Sequence, residues 1–167
     1  MYSFVVSLHI ISAGVIIGLI TNAIMGTMMR KKIKGTPAEL ASIRTGAIMA
    51  PIMANIGSIG LLLTGVILTL MQYSFFPFST LPWLAIMQTD YIVIMAISGA
   101  VMMPTGKKIL AMANSELASP GAAKGASDAL RALVAKQYTL TMVIAFLVLI
   151  AILVGESKDM MWVKAVQ

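Results

Sequence analysis

Four apolar runs, each long enough to cross a lipid bilayer, constrain this chain more than any other feature. A hydrocarbon core of about 30 Å asks for roughly 20 mostly apolar residues per helix. The first run covers residues 2–29 and holds no Lys, Arg, Asp or Glu; the second covers 46–72. The third covers 83–103 with a single acid, Asp90, and the fourth, 138–154, is the most uniformly aliphatic. Connections 30–45 and 104–137 lie between them, so a single integral membrane domain, 1–167, accounts for the chain. A soluble domain is about a quarter charged. With 59% hydrophobic and 11% charged residues, this one cannot cover its apolar surface with polar groups. The expected fold is all-α: a four-transmembrane-helix bundle with both termini extracytoplasmic.

The orientation follows from the basic residues. Connection 30–45 carries Arg30, Lys31, Lys32, Lys34 and Arg44, and connection 104–137 carries Lys107, Lys108, Lys124, Arg131 and Lys136. Only Lys158 and Lys164 lie elsewhere. Short loops rich in Lys and Arg stay cytoplasmic. The expectation is therefore a multi-pass protein of the cell inner or plasma membrane, with the N and C termini on the extracytoplasmic side. The first run has no basic region before it and exceeds a signal-peptide core in length, so it reads as a span. Topology explains the net charge of +6. No nucleic-acid partner is expected, because the basic residues flank spans and no base-reading motif accompanies them.

Local signals mark the ends of the helices. Thr36-Pro37-Ala38-Glu39 predicts a capping box with Pro at the first helical position, so the second helix starts before it enters lipid. Pro51 lies inside that helix and predicts a kink. Ser119-Pro120-Gly121 breaks the second connection, and Ser127 or Asp128 caps the helix that continues into the fourth span. Residues 107–117 either extend the third helix or form a short surface helix. The uncharged stretch 73–84, YSFFPFSTLPWL, is aromatic and twice interrupted by proline. Its Phe75, Phe76, Phe78 and Trp83 read either as interfacial anchors or as a docking surface for another subunit.

Candidate chemistry is sparse. His9 is the one histidine, and Asp90 is the one acid inside a span. Both lie about seven residues, or roughly 10 Å of helix rise, from the same end. Intramembrane ionisable groups mark function by default. The pair reads as a structural polar clamp or as a ligand site for haem b, copper or a quinone. With no cysteine, thiolate zinc sites, iron–sulfur ligation and thioether-linked haem have no ligands in this chain. A haem held by two of its own histidines is excluded as well. Methionines at that end, Met71, Met87, Met160 and Met161, are the candidate second ligands. No cofactor held within the chain alone is expected. Gly14, Gly18, Asn22 and Gly26 recur every fourth residue along the first helix, the pattern that lets helix backbones approach. Asn22 and Asn55 are expected to hydrogen-bond across helices, because an amide without a partner is expensive in lipid. The chain has no phosphate-binding glycine loop, no nucleophile elbow, no zinc-protease motif and no pair of acids for general acid–base work. It is not expected to be an enzyme.

Several stretches resemble known membrane proteins. Leu8-His9 followed by Gly18 resembles the opening of the copper-resistance D (CopD)-like and protoporphyrinogen-oxidase HemJ-like group. Leu62-Leu63-Thr64-Gly65, Pro82-Trp83-Leu84 and a basic, Ala-rich connection before the fourth span are similar to a smaller family of four-span predicted bacterial integral membrane proteins of unknown function. Where the first group has a Trp before the glycine, this chain has Ile16 and Ile17. The resemblance implies the four-span fold, and it implies His9 as the position at which relatives hold a haem or metal. The expected function is a non-catalytic accessory subunit of a larger energy-converting membrane complex, of respiratory or photosynthetic type. Its partners would be the lipid bilayer and other integral membrane subunits. The alternatives are a haem-, copper- or quinone-binding protein using His9 and Asp90, and an oligomeric small transporter or channel.

Overall fold

The computed structural model describes residues 1–73 and 82–161; Phe75, Phe76, Phe78 and Trp162 lie outside them. The described chain is all-helical. Helix α1 spans Tyr2–Lys32, α2 Pro37–Tyr73, α3 Pro82–Ile97, α4 Met103–Leu117 and α5 Asp128–Met161. A π-turn, Ser98–Met102, joins α3 to α4 without a break, and a 3-10 turn, Pro120–Lys124, precedes α5. Four helical rods are long and apolar enough to cross a membrane: α1, α2, α3 continued through α4, and α5. They alternate in direction, so the basic connections share one end of the bundle.

Residues 107–117 therefore extend the third helix. The π-turn that carries it on has a local cause in Pro104. A proline in a helix lacks its N–H and crowds the carbonyl four residues back, here that of Ala100. The backbone widens just before it, and the Met103 N–H reaches the Ser98 carbonyl instead. Thr105 then donates its hydroxyl to the Val101 carbonyl at 2.7 Å. By contrast, α2 runs through Pro51 uninterrupted.

The apolar core lies at the basic end and not between the spans. Leu40 and Ile43 of α2, Ile109 and Ala113 of α4, and Ala126 and Leu130 around the start of α5 form one buried cluster. Leu40, Ala113 and Leu130 are fully buried. In lipid an apolar side chain loses little by facing outward, so spans have weak reason to bury them. Beyond the bilayer the hydrophobic effect returns, and the projecting helix ends pack as a soluble protein does. Residues 37–45 of α2 and 128–137 of α5 precede the apolar runs of their helices and form this cap. Between spans, α1 packs on α2 and α5, and α3 packs on α5.

Candidate functional site

Three places bring polar or small residues together. The first is the α1–α2 seam. His9 Nδ1 lies 2.8 Å from the Thr64 hydroxyl. That hydroxyl gives its proton to the Gly60 carbonyl at 2.6 Å, so the imidazole donates from Nδ1, and in the neutral ring Nε2 carries the lone pair. The seam is close because α2 presents glycines there. A Cβ at Gly57 would lie 2.6 Å from Ile16 Cδ1, one at Gly60 would collide with the Ser12 hydroxyl, and one at Gly65 would meet His9 Cε1 at 3.6 Å. The glycines that set the helix–helix distance are thus those of α2.

The glycine stripe on α1 points the other way. Gly14, Gly18 and Asn22 are exposed, and no atom lies within 4 Å of a Cβ built on Gly14 or Gly18. Asn55 is also exposed. Asn22 and Asn55 do not serve as each other's partner in this register: His9 sits opposite Thr64 and Ile16 opposite Gly57, which brings Asn22 level with Pro51. Gly26 serves another purpose, because a Cβ built there would lie 3.3 Å from the Arg30 guanidinium, which donates to Thr27 Oγ1 at 2.9 Å.

Asp90 is the second place. The expected His9–Asp90 bond does not form, because His9 is engaged by Thr64 on α2 while Asp90 belongs to α3, which packs on α5. Asp90 is 9% exposed, and its Oδ2 has no hydrogen-bond partner among the described residues. It lines an open cavity of about 370 Å³ with Ala85, Ile86, Thr89, Val93 and Ile150. The neighbouring Tyr91 turns inward and donates its hydroxyl to the Ser58 carbonyl of α2 at 3.0 Å. Met87 packs at Gly155, 3.8 Å from where a Cβ would stand. Trp83 is half-buried at the start of α3.

The third place was only partly legible in the sequence. Glu39 does not complete a capping box, since it accepts from the Gly35 N–H at 2.8 Å instead of the Thr36 N–H. It then crosses to the other connection. Arg131 of α5 donates Nε to Oε1 and Nη2 to Oε2, each at 2.8 Å, and the Ala126 N–H donates to Oε2 at 3.3 Å. The paired Arg131 and the two backbone N–H groups hold the buried carboxyl down at about 2, although burial opposes them. Glu39 in turn raises the affinity of Arg131 for its proton. Gly35 at φ 80° and Gly125 at φ 75° meet back to back over this carboxylate. A Cβ on Gly125 would lie 2.8 Å from both the Gly35 backbone and Glu39 Oε2. Nearby, Ser127 is the cap of α5, accepting from the Leu130 N–H at 3.2 Å while Glu116 accepts from both its N–H and its hydroxyl.

A fold of four apolar rods bound at one end by a polar cap is a membrane architecture, and the family comparison agrees. A family model described as "Predicted integral membrane protein (DUF2269)" matches residues 3–156. The chain belongs to that family. Neither the curated proteins nor the solved structures give a match. The match takes in all four spans of this family member, the His9–Thr64 bond, Asp90 and the Glu39 cap. It gives no link to the CopD-like or HemJ-like groups.

Proposed function

We propose that this chain is a non-catalytic, four-span subunit of a larger integral membrane assembly. The observation that supports it is the outward stripe of Gly14, Gly18 and Asn22 on α1. Within the chain, α1 already packs on α2 and α5 through another face. Small residues lower the cost of close backbone approach, and an amide gains from a partner in a medium that offers none. Such a stripe turned to lipid has a use when a neighbouring helix covers it. Basic connections facing the cytoplasm, both termini outside and a location in the cell inner membrane complete the proposal, on the strength of the charge asymmetry.

The test is purification from the native membrane in a gentle detergent. The chain is expected to elute with stoichiometric partners, and Gly14→Ile with Gly18→Ile is expected to release it as a folded monomer. A monodisperse wild-type monomer from native membranes would sink the reading. A ligand-binding role at His9 stays the second reading, supported by the Nδ1-protonated tautomer that leaves Nε2 as the lone-pair nitrogen. Haem, copper or quinone that co-purifies with wild-type chain and is lost in His9→Ala would establish it.

A further inference from the structure

The Asp90 cavity is a groove of helical dimensions. Ala85, Thr89 and Val93 stand four residues apart on α3, over about 12 Å of rise, and Ile150 of α5 forms the facing wall. Its lining is apolar apart from Thr89 and Asp90. The acid lies seven residues past Trp83, about 10 Å along the helix from the interfacial end. A carboxyl oxygen sealed at that depth without a hydrogen-bond donor is costly, and the described residues provide none. No described residue donates to it, and the carboxyl lines the open groove, which is the face from which a donor can approach.

Charge and shape narrow what it is. Calcium and magnesium take six or more oxygens, and this wall offers side-chain oxygens from Asp90 and Thr89 alone. A second copy of this chain carries no Lys or Arg in any of its four apolar runs. Its one histidine is half-buried in the α1–α2 seam, with Nδ1 bonded to Thr64. A groove two turns long between antiparallel helices fits a third helix. We propose that Asp90 and the α3–α5 groove dock a transmembrane helix of a different chain through a basic side chain on that helix. This rests on the subunit reading above and names the chemistry of a partner on a face opposite in kind to the glycine stripe: charged where that stripe is small.

The probe is a synthetic Leu-rich transmembrane peptide with one Lys placed about a third of the way along it, compared with the same peptide carrying norleucine there. Wild-type chain in phosphatidylcholine vesicles is titrated with each peptide. Association is read by energy transfer from the chain's tryptophans to a dansyl group on the peptide. The Lys peptide is expected to associate about tenfold more tightly, the upper part of the range for polar contacts between membrane helices. Asp90→Asn is expected to abolish the preference. Val93→Phe, which keeps the acid, fills the groove and adds no tryptophan to the readout, is expected to do the same with helicity unchanged, so the conclusion does not hang on one variant. Equal binding of the two peptides overturns the proposal, as does a preference that survives either substitution. Dodecylammonium binding that depends on Asp90, without any preference between peptides, would make this a small-cation site and also overturns it. A failed peptide test beside an intact native complex removes this inference alone. A monomer from native membranes removes the subunit reading whatever the peptides do.

Discussion

The imidazole of His9 and the hydroxyl of Thr64, 2.8 Å apart, tie the Leu8-His9 opening of α1 to the Leu62–Gly65 stretch of α2. Two motifs that are 55 residues apart in sequence thus form one contact. Thr64 serves both sides of it. Its proton satisfies the Gly60 carbonyl and its lone pair receives the imidazole N–H. The same hydroxyl fixes the tautomer and spares a buried N–H the cost of having no acceptor.

Replacing either partner is expected to weaken the bundle by about 1 kcal/mol, in the range measured for polar contacts between membrane helices. His9→Leu, Thr64→Val and the double variant, unfolded in mixed micelles, form a cycle. The double variant should lose less than the sum of the two singles. Strict additivity would mean that the bond contributes nothing.

The glycines give a sharper contrast. Gly57→Val is expected to destabilise the isolated chain by about 1–3 kcal/mol, because its side chain enters space held by Ile16 and Val15. Gly18→Val meets nothing within 4 Å. It should leave the melting temperature of the detergent-solubilised monomer nearly unchanged and act only on assembly. Equal loss of stability from the two substitutions would contradict the outward direction of the α1 stripe.

How much of this was readable beforehand differs by residue. The four spans, the shared basic end and the break at Pro120 were legible because lipid imposes a length and a polarity on every crossing helix. The partner of His9 was not. Depth along a helix is a one-dimensional quantity, and matching His9 to Asp90 by depth ignored which helices are neighbours. The stripe at Gly14 and Gly18 was visible as a pattern, but periodicity alone does not say whether such a face turns toward the bundle or away. The π-turn had an unused signal in Pro104, whose ring crowds the Ala100 carbonyl four residues back. Glu39 was read as a local cap because a Thr-x-x-Glu spacing looks the same whether the carboxylate bends back or crosses to Arg131.

The two positive-φ glycines at the basic end should not be equivalent. Gly35→Ala adds only the backbone strain of φ 80°, since nothing lies within 4 Å of its Cβ, and about 1 kcal/mol is expected. Gly125→Ala adds a Cβ 2.8 Å from backbone atoms that cannot swing aside. Its loss in thermal unfolding should be at least twice as large. A reversed order would argue against the back-to-back packing of the two connections.

The Glu39 carboxylate ought to give the cap an acid-sensitive step. Its two oxygens receive four donors: the N–H groups of Gly35 and Ala126, and Nε and Nη2 of Arg131. Glu39→Gln leaves one acceptor oxygen for them and sets an NH2 group against the rest, so a loss of about 1–3 kcal/mol is expected. The pH dependence follows from the direction of the shift. The folded carboxyl titrates near 2 and the unfolded one near 4.5, so the unfolded state binds the proton first. The stabilisation is fully present above about pH 4.5 and declines as the pH falls toward 2. Melting curves in a non-ionic detergent should therefore show wild type losing stability over that window. Glu39→Gln, already without the ionised pair, should be flatter there. Parallel acid profiles for the two proteins would mean that other groups govern the acid transition. Arg131→Gln separates the donors from the charge, because it leaves Glu39 buried with its two backbone N–H partners and no cation hydrogen-bonded to it. It should lower stability at neutral pH more than Glu39→Gln does, since an ionised group left buried without its partner is the costlier of the two outcomes.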